Sequence, residues 1–513
     1  MLVLDTKNSR LLDEIAVKNG ISIHDLIFSS AQQIANYLSN EGCAKKSILF
    51  ICGKGYNGAD AIAAAIILHE KGIDVTLYIS SFLQNKLSRE TLYFFNTALK
   101  KNIKVSQQFV DADIYIDALF GTGFSGSIDG EYKEIIQQIN SARGNSKGKK
   151  VISIDIPSGL NGDTGVVKGE AVIADETLSL ASLKKSFYLN NGPDYCGKIT
   201  LLDIGLPSYI YEQVEASANV ISIENAGRLL PKRSINSYKG SSGYLVILAG
   251  SIGMMGAVVN AASSAYNVGA GLVKIGVPEE IINYLNIAFH DAIYFSFPNK
   301  KANEILSVTL NETKEYDAII IGPGLKLNEE NEQFICDVIQ QIDMPMIIDA
   351  SALGAVSRNN PKSILSSRKS KTILTPHPGE MANLLGISVS ECEENRLETA
   401  KAAAEIFNSI IVYKGGRAII ACPDGTVYFN STGNSSLAVA GTGDMLAGII
   451  GGFLCSGMKA DDAAIIGSYV GGLASEEYTK KNNILSSTAT ELIKYIPTAL
   501  DDIVNSLAIR FPF

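Results

Sequence analysis

The tetrapeptide Gly441-Thr442-Gly443-Asp444 sits between a small-residue run, Asn434–Ala440, and an apolar stretch, Met445–Phe453, that reads as a helix starting near Asp444. Glycines let successive backbone N–H groups converge at a helix N-terminus, where the helix dipole favours an anion. A carboxylate beside such a nest repels a phosphate rather than binding it. Asp444 is better placed to take a proton from an attacking hydroxyl. Loop and acid together read as phosphoryl transfer to an alcohol. The alternative is a glycine-rich turn in which Asp444 only caps the helix.

The residues upstream repeat one layout, a β-branched run followed by a polar loop. Gly243–Gly250 runs into Gly250-Ser251-Ile252-Gly253-Met254-Met255-Gly256-Ala257, and a small-residue helix over Ala257–Val268 follows. Such helices pack closely on a sheet or on a neighbouring subunit. Ala270–Val277 is the next strand. Asp317–Ile321 ends in Gly322-Pro323-Gly324, and Met346–Ile348 ends in Asp349. Thr372–Leu374 ends in Thr375-Pro376-His377-Pro378-Gly379-Glu380, and Ile410–Tyr413 in Lys414-Gly415-Gly416-Arg417-Ala418. His377, between two prolines, is a loop group read as facing substrate, with a structural loop hydrogen bond as the alternative. Lys414, at a strand end before two glycines, suits contact with an adenylate or phosphate.

The N-terminal half carries a second set. Two helices are expected over Leu11–Asn40, with Ser22 as a cap. The strand Ser47–Cys52 enters Gly53-Lys54-Gly55-Tyr56-Asn57-Gly58-Ala59-Asp60, ahead of a helix over Ala61–Lys71. Strand, glycine loop and helix form a nucleotide-binding α/β unit, although the spacing is not that of a G-x-G-x-x-G fingerprint. Ile114–Ile116 leads into Asp117-Ala118-Leu119-Phe120-Gly121-Thr122-Gly123-Phe124, and Val151–Ile154 into Asp155-Ile156-Pro157-Ser158-Gly159-Leu160. Each loop alone could be a plain βα turn. Three delivered to one sheet edge read as a site.

These elements require an α/β fold in more than one domain, because 513 residues exceed one ordinary core. The composition shift over Ser208–Asn225 places the boundary, giving domains over 1–216 and 217–513. A net charge of -9 argues against nucleic-acid partners. The longest apolar runs, Ala61–Leu68 and Met445–Phe453, are too short to span a bilayer. Early acids at Asp5, Asp13 and Glu14 argue against a signal peptide. Seven scattered cysteines without a C-x-x-C pair fit reduced thiols and a cytoplasmic setting.

In this order the two sets of loops resemble the bifunctional NAD(P)H-hydrate repair enzymes, an NAD(P)HX epimerase fused to an ADP-dependent NAD(P)HX dehydratase. The motifs that carry the resemblance are Lys239-Gly240, Gly256-Ala257, Gly322-Pro323-Gly324, Thr375–Glu380, Lys414-Gly415 and Gly441–Asp444. It implies two doubly wound domains, the first Rossmann-like with three layers and the second ribokinase-like. It implies that Ala257, Gly324, His377 and Asp444 contact the hydrated dinucleotide. Lys414, Gly415, Gly416, Arg417, Ala418, Gly441, Thr442 and Gly443 would hold the nucleotide, with Mg2+ neutralising the phosphates. In the first domain Tyr56, Asn57, Gly58, Ala59, Asp60, Gly121, Thr122, Gly123, Phe124, Ser125, Gly126, Ser127 and Asp155 would hold the substrate, and Asn57, Asp117 and Ser158 a potassium ion. Asp444 and Asp155 would be the catalytic acids of the two halves. NADHX, NADPHX and ADP are the implied partners, in a homo-oligomer. The family's usual Asn-Asn-Gly-Gly-Asp-Gly reads Tyr56-Asn57-Gly58-Ala59-Asp60-Ala61 here, where Tyr56 adds bulk and two alanines restrict the backbone. Ser351 stands where the family usually has an acid. The rival reading is a ribokinase-like small-molecule kinase with a non-catalytic N-terminal ligand-binding module.

Overall fold

Parallel strands buried on both faces are near-continuously apolar, and the runs Ile48–Cys52, Ile114–Ala118, Ala318–Ile321 and Met346–Ile348 are buried throughout, with Asp117 the acid among them. In the computed structural model, which describes residues 1–41, 46–84, 86–144, 148–297 and 302–508, these strands belong to two compact units, Met1–Asn219 and Val220–Phe513.

The first unit holds a seven-stranded parallel sheet in the order Lys104–Ser106, Val75–Tyr78, Ile48–Cys52, Ile114–Ala118, Lys150–Ile154, Glu176–Leu180 and Lys198–Leu202. From Ile48–Cys52 the chain goes first to one neighbour and later to the other. The switch point therefore lies between Ile48–Cys52 and Ile114–Ala118, where open α/β sheets bind ligands. Register places Ile51 opposite Asp117 and Asp117 opposite Ser153. The first strand, Leu2–Leu4, pairs in parallel with Leu183–Lys184, setting Leu4 opposite Lys184.

Helix starts follow local chemistry. Ser22 caps Ile23–Asn40 in a reciprocal box with Asp25. Asp5 caps a helix that begins at Thr6, five residues before the expected Leu11, and Thr6 is held by Asp163 through its amide and its hydroxyl. The helix after the first glycine loop begins at Tyr56, not Ala61. Tyr56–Asp60 is thus helix rather than loop. Ala59 and Ala61 are fully buried in helical backbone, so the dihedral restriction expected of alanine there costs nothing. Gly58 is still required, because a Cβ would collide with the Gly53 carbonyl.

The second unit orders its strands Ile293–Phe297, Leu272–Pro278, Tyr244–Leu248, Ala318–Ile321, Met346–Ile348, Thr372–Leu374 and Ile410–Tyr413 in parallel, then Ile419–Ala421 and Val427–Phe429 antiparallel. Its switch point is Tyr244–Leu248. The helix Thr442–Cys455 packs so closely on Met255–Asn267 that a Cβ at Gly448 would strike the Ala261 carbonyl, and one at Gly452 the Val268 side chain. On its other side Gly451 leaves 2.6 Å between an added Cβ and Ile320. Among the described residues no helix is long and apolar enough to cross a membrane. The six described cysteines are free and buried; Cys43 lies outside the described residues.

Candidate active sites

In the second unit Gly441, at φ 91°, is the N-cap of Thr442–Cys455 and offers no capping side chain. The first intrahelical bond runs from Met445 N to Gly441 O at 3.0 Å. The amides of Thr442, Gly443 and Asp444 are the donors a helix start leaves open. Asp444 is the third helical residue, not the cap, and its carboxylate makes no hydrogen bond among the described residues. Burial, then the charge of Asp349, push Asp444 up to about 6, with Lys414 opposing. A carboxylate held there is ionised at neutral pH yet basic enough to accept a proton.

Lys414 ends its strand with Nζ 2.9 Å from Asp349 Oδ1 and 3.9 Å from Glu380 Oε2. An added Cβ on Gly443 would lie 3.4 Å from that Nζ, so the ammonium stands over the helix start. Burial works against its charge, but Asp349 and Glu380 outweigh it and the pKa rises. Asp349, almost fully buried, also accepts from Thr375 Oγ1 at 2.6 Å. Ala350, directly after it, sits at φ 48°, an unfavourable region for alanine. Ser351, the departure from the family acid, donates to Leu325 O at 2.6 Å and so ties the neighbouring loop.

The other expected residues divide by what they offer. Ala257 and Gly324 adjoin, since a Cβ on Gly324 would be 3.1 Å from that of Ala257. His377 does take a structural bond: its Nδ1 accepts from Gly379 N at 3.0 Å and Glu380 N at 3.3 Å, which assigns the proton to Nε2. The ring is nonetheless 57% exposed, and its Nε2 lies 3.6 Å from Glu380 Oε1. Thr442 turns its hydroxyl to Leu437 O and Val439 O, both at 3.0 Å, so only its amide is free for a nucleotide. Arg417 likewise bonds Ser431 O and Gly433 O through Nη1. Gly415 lies on the Arg396 guanidinium, which donates to Lys414 O at 3.1 Å and packs 4.3 Å over the Tyr413 ring. Gly416 faces open space, and Ala418 O accepts from Asn430 N at 2.9 Å.

In the first unit the three loops converge at the switch point. Asn57 Nδ2 donates to Phe120 O at 2.7 Å and Ile154 O at 3.1 Å, while its Oδ1 is buried without a partner. Asp117 accepts from Ser158 Oγ at 2.5 Å, Ser158 N at 2.9 Å, Ser153 Oγ at 2.8 Å and Leu119 N at 3.3 Å. Burial raises the Asp117 pKa in spite of these donors. Phe120 links the set, since its N–H donates to Ser158 Oγ at 3.0 Å. An added Cβ on Gly121 would lie 3.4 Å from Asn57 Cβ and 3.7 Å from Asp155 Oδ2. Thr122 and Gly123 continue the same loop, Phe124 N closes a turn on Gly121 O at 3.1 Å, and Ser125, Gly126 and Ser127 form its exposed tip. Tyr56 is 52% exposed, so its bulk extends into solvent rather than into the core.

Asp155 has φ 65°, the left-handed region. Its carboxylate lies 2.5 Å from the buried ammonium of Lys184. Burial, then the charges of Asp155 and Asp13, raise Asp60 well above the usual carboxylate range. Burial of its carboxyl, then Asp155, push Asp13 up to about 6, with Lys184 opposing. The guanidinium of Arg10, one turn before Asp13, approaches to 3.6 Å of an added Cβ on Gly123. Arg10, Asp13 and Lys184 were not anticipated as site residues. They come from the N-terminal helix and from the strand paired with Leu2–Leu4, and nothing local in the sequence brings them to the other loops. Asp349 and Glu380 stand in motifs already read, Asp349 directly at a strand end and Glu380 in the first turn of the helix Pro378–Leu385.

The N-terminal half matches the family described as YjeF-related protein N-terminus over residues 23–186, and the C-terminal half the NAD(P)H-hydrate dehydratase family over residues 245–498. A ribokinase-like superfamily protein from Enterococcus faecalis shares 26% identity at a TM-score of 0.50, covering 56% of this chain and 96% of its own. The ADP/ATP-dependent NAD(P)H-hydrate dehydratase from Bacillus subtilis, co-crystallised with ATP and Mg2+, shares 34% identity at a TM-score of 0.50, covering 56% of this chain and 99% of its own. The fold thus defines a Rossmann-like module joined to a ribokinase-like domain. The bifunctional NAD(P)H-hydrate repair enzymes Nnr of Moorella thermoacetica and Thermofilum pendens are each 31% identical, covering 89% and 98% of this chain and 88% and 96% of their own lengths. The chain belongs to the family of bifunctional NAD(P)H-hydrate repair enzymes.

Proposed function

We propose that the C-terminal half dehydrates the S form of NAD(P)HX at the expense of ADP, and that the N-terminal half interconverts the R and S forms. Asp444 carries this reading: an unpaired carboxyl poised at about 6, at the start of a glycine-led helix with open amides, beside Lys414. Water added across the nicotinamide C5–C6 bond leaves a hydroxyl at C6, and hydroxide is a poor leaving group. Asp444 takes the hydroxyl proton as the oxygen attacks the terminal phosphoryl group of ADP, and AMP departs. The Thr442–Asp444 amides and Lys414 stabilise the charge of the moving phosphoryl group. The ring nitrogen lone pair then expels phosphate from C6, a proton leaves C5, and NAD(P)H is restored. Mg2+ would supply further neutralisation of the phosphates.

ADP supports turnover in this reading, with AMP and phosphate appearing as NADH forms. The check is NADH absorbance and nucleotide chromatography after ADP or ATP is added to NADHX. ATP turnover with ADP inert at saturation would refute the donor. A stable phosphorylated alcohol without NADH would favour a small-molecule kinase.

The N-terminal reading includes a potassium ion at Asn57, Asp117 and Ser158. The orphaned Asn57 Oδ1 supports it, because a buried carbonyl oxygen without a donor fits a hard cation. Asp117 and Ser158 hold each other and are joined to Asn57 through Phe120. Epimerisation should drop when K+ is replaced by Li+ at equal ionic strength, whereas dehydration of pure S hydrate should not. Equal epimerisation rates in the two salts would remove the ion from the proposal. The homo-oligomer and cytoplasmic setting expected from the sequence stay within this proposal, and the solution mass of the purified chain decides the first.

A further inference from the structure

Lys184 is 2% exposed, rare for a lysine without a purpose-built partner set. Its ammonium reaches Asp155 Oδ1 at 2.5 Å and donates to Leu180 O and Ser182 O, both at 2.9 Å, and to Ser179 Oγ at 3.3 Å. Backbone fixes it as well: Lys184 stands opposite Leu4 in a parallel pair. Asp155 is fixed by its own N–H on Leu178 O at 2.7 Å and receives the Leu180 N–H at 3.4 Å. Four acceptors surround the three N–H donors of this buried ammonium and hold it in place.

Two further acids stand near Asp155. Asp60 on the Tyr56–Glu70 helix and Asp13 on the Thr6–Lys18 helix are both electrostatically coupled to it. Arg10 reaches the Gly123 loop, and Asp117 is enclosed by its serine donors. Lys184 is therefore the cation that acts directly on Asp155. Its other contacts are neutral oxygens; Asp155 is the carboxylate it touches, and Asp13 feels its charge from farther off.

We propose that Lys184 is the positioning residue of the epimerase half, holding the Asp155 carboxylate in one orientation so that it can act at C6 of the hydrate. The inference rests on the reading of Asp155 as the acid of that half. Lys184 does not touch the substrate in this account. At C6 the ring nitrogen lone pair forms the C=N bond as the C6–O bond breaks, with the hydroxyl leaving as water after protonation. Water then adds to the opposite face and loses a proton. The fixed carboxylate of Asp155 faces the positive charge that develops on the ring between these steps.

The test uses the full-length enzyme, with R and S hydrates separated by chromatography. Lys184→Met keeps most of the volume and removes the charge; Lys184→Arg keeps the charge and changes the shape. Lys184→Met should lower kcat for epimerisation by about 10–100-fold at pH 7, within the span of general acid–base effects. It should also move the acid limb of the kcat/KM profile to higher pH, and Lys184→Arg should recover much of the rate with the limb in place. A Met variant with normal rate and profile, or one more active than the Arg variant, would make Lys184 a packing residue and overturn the proposal. If Lys184→Met does not fold, the pair Asp155→Asn with Lys184→Met leaves no lone buried charge. That pair should epimerise as fast as Asp155→Asn alone, and a further drop would show that Lys184 acts independently of Asp155. Should Asp155→Asn itself keep full activity, the reading of Asp155 fails first, and that result is distinct from failure of Lys184 alone.

Discussion

Asp444→Asn is expected to slow dehydration of S-NADHX by about 10²–10⁴-fold, the usual contribution of a general base. The amide keeps the size and can still contact the hydroxyl, but it cannot take the proton. Binding should change little, because the helix-start amides and the Lys414–Asp349 pair remain. The wild-type rate should fall as pH drops below about 6, where Asp444 becomes protonated. The same raised pKa makes a stability prediction of opposite sign. Raised from 3.8 to about 6, Asp444 binds more protons folded than unfolded, so the wild type loses stability as pH rises through that window. Removing the charge should therefore stabilise the protein above pH 6, by about 1–2 kcal/mol once partial exposure is allowed for, and leave it unchanged in strong acid. Rates at saturating ADP and thermal melts at pH 8 and pH 4 check both. Near-normal dehydration by the variant would remove Asp444 as the base.

Asp155→Asn should give the converse pattern: conversion of R hydrate to S impaired by about 10²–10⁴-fold, with dehydration of pure S hydrate intact. The motivation is that Asp155 and Asp444 belong to different compact units. Asn leaves Lys184 without its anionic partner in a buried setting, so folding must be checked by circular dichroism before rates are compared. If the variant also stops dehydration of pure S hydrate, the two sites are not independent. Loss of neither activity would leave the strained backbone at residue 155 without a role in epimerisation.

The strands were legible because parallel strands covered on both faces cannot hide their composition. Met346–Ile348, Thr372–Leu374 and Ile410–Tyr413 have the limits expected from the sequence. The helix start capped by Ser22 was legible in the sequence. The start at Thr6 was read late although Asp5 caps it. Starts were also read late at Tyr56, Met255 and Thr442, whose caps, Gly55, Met254 and Gly441, make no side-chain bond. Those are the starts where open amides face the loops of the sites. A helix end suited to a ligand lacks the signal by which helix ends are recognised. The acids and glycines of the sites could be read from strand–loop order, whereas Lys184 and Asp13 could not. Their place depends on the N-terminal strand and helix returning to a sheet edge formed by residues more than a hundred positions away.

The glycines of the Thr442–Cys455 helix have a consequence for how portable this chemistry is. Gly448, Gly451 and Gly452 face the backbone and side chains of Ala261, Ile320 and Val268 with no space for a methyl group. Asp444 and Ala257 therefore ride on two helices whose spacing is set by absent side chains rather than by contacts within the site. The Gly441–Asp444 loop is not a cassette that could be grafted alone onto another α/β scaffold. It functions together with the helix of Ala257 and the strand of Ile320, and these would have to be inherited or transplanted with it.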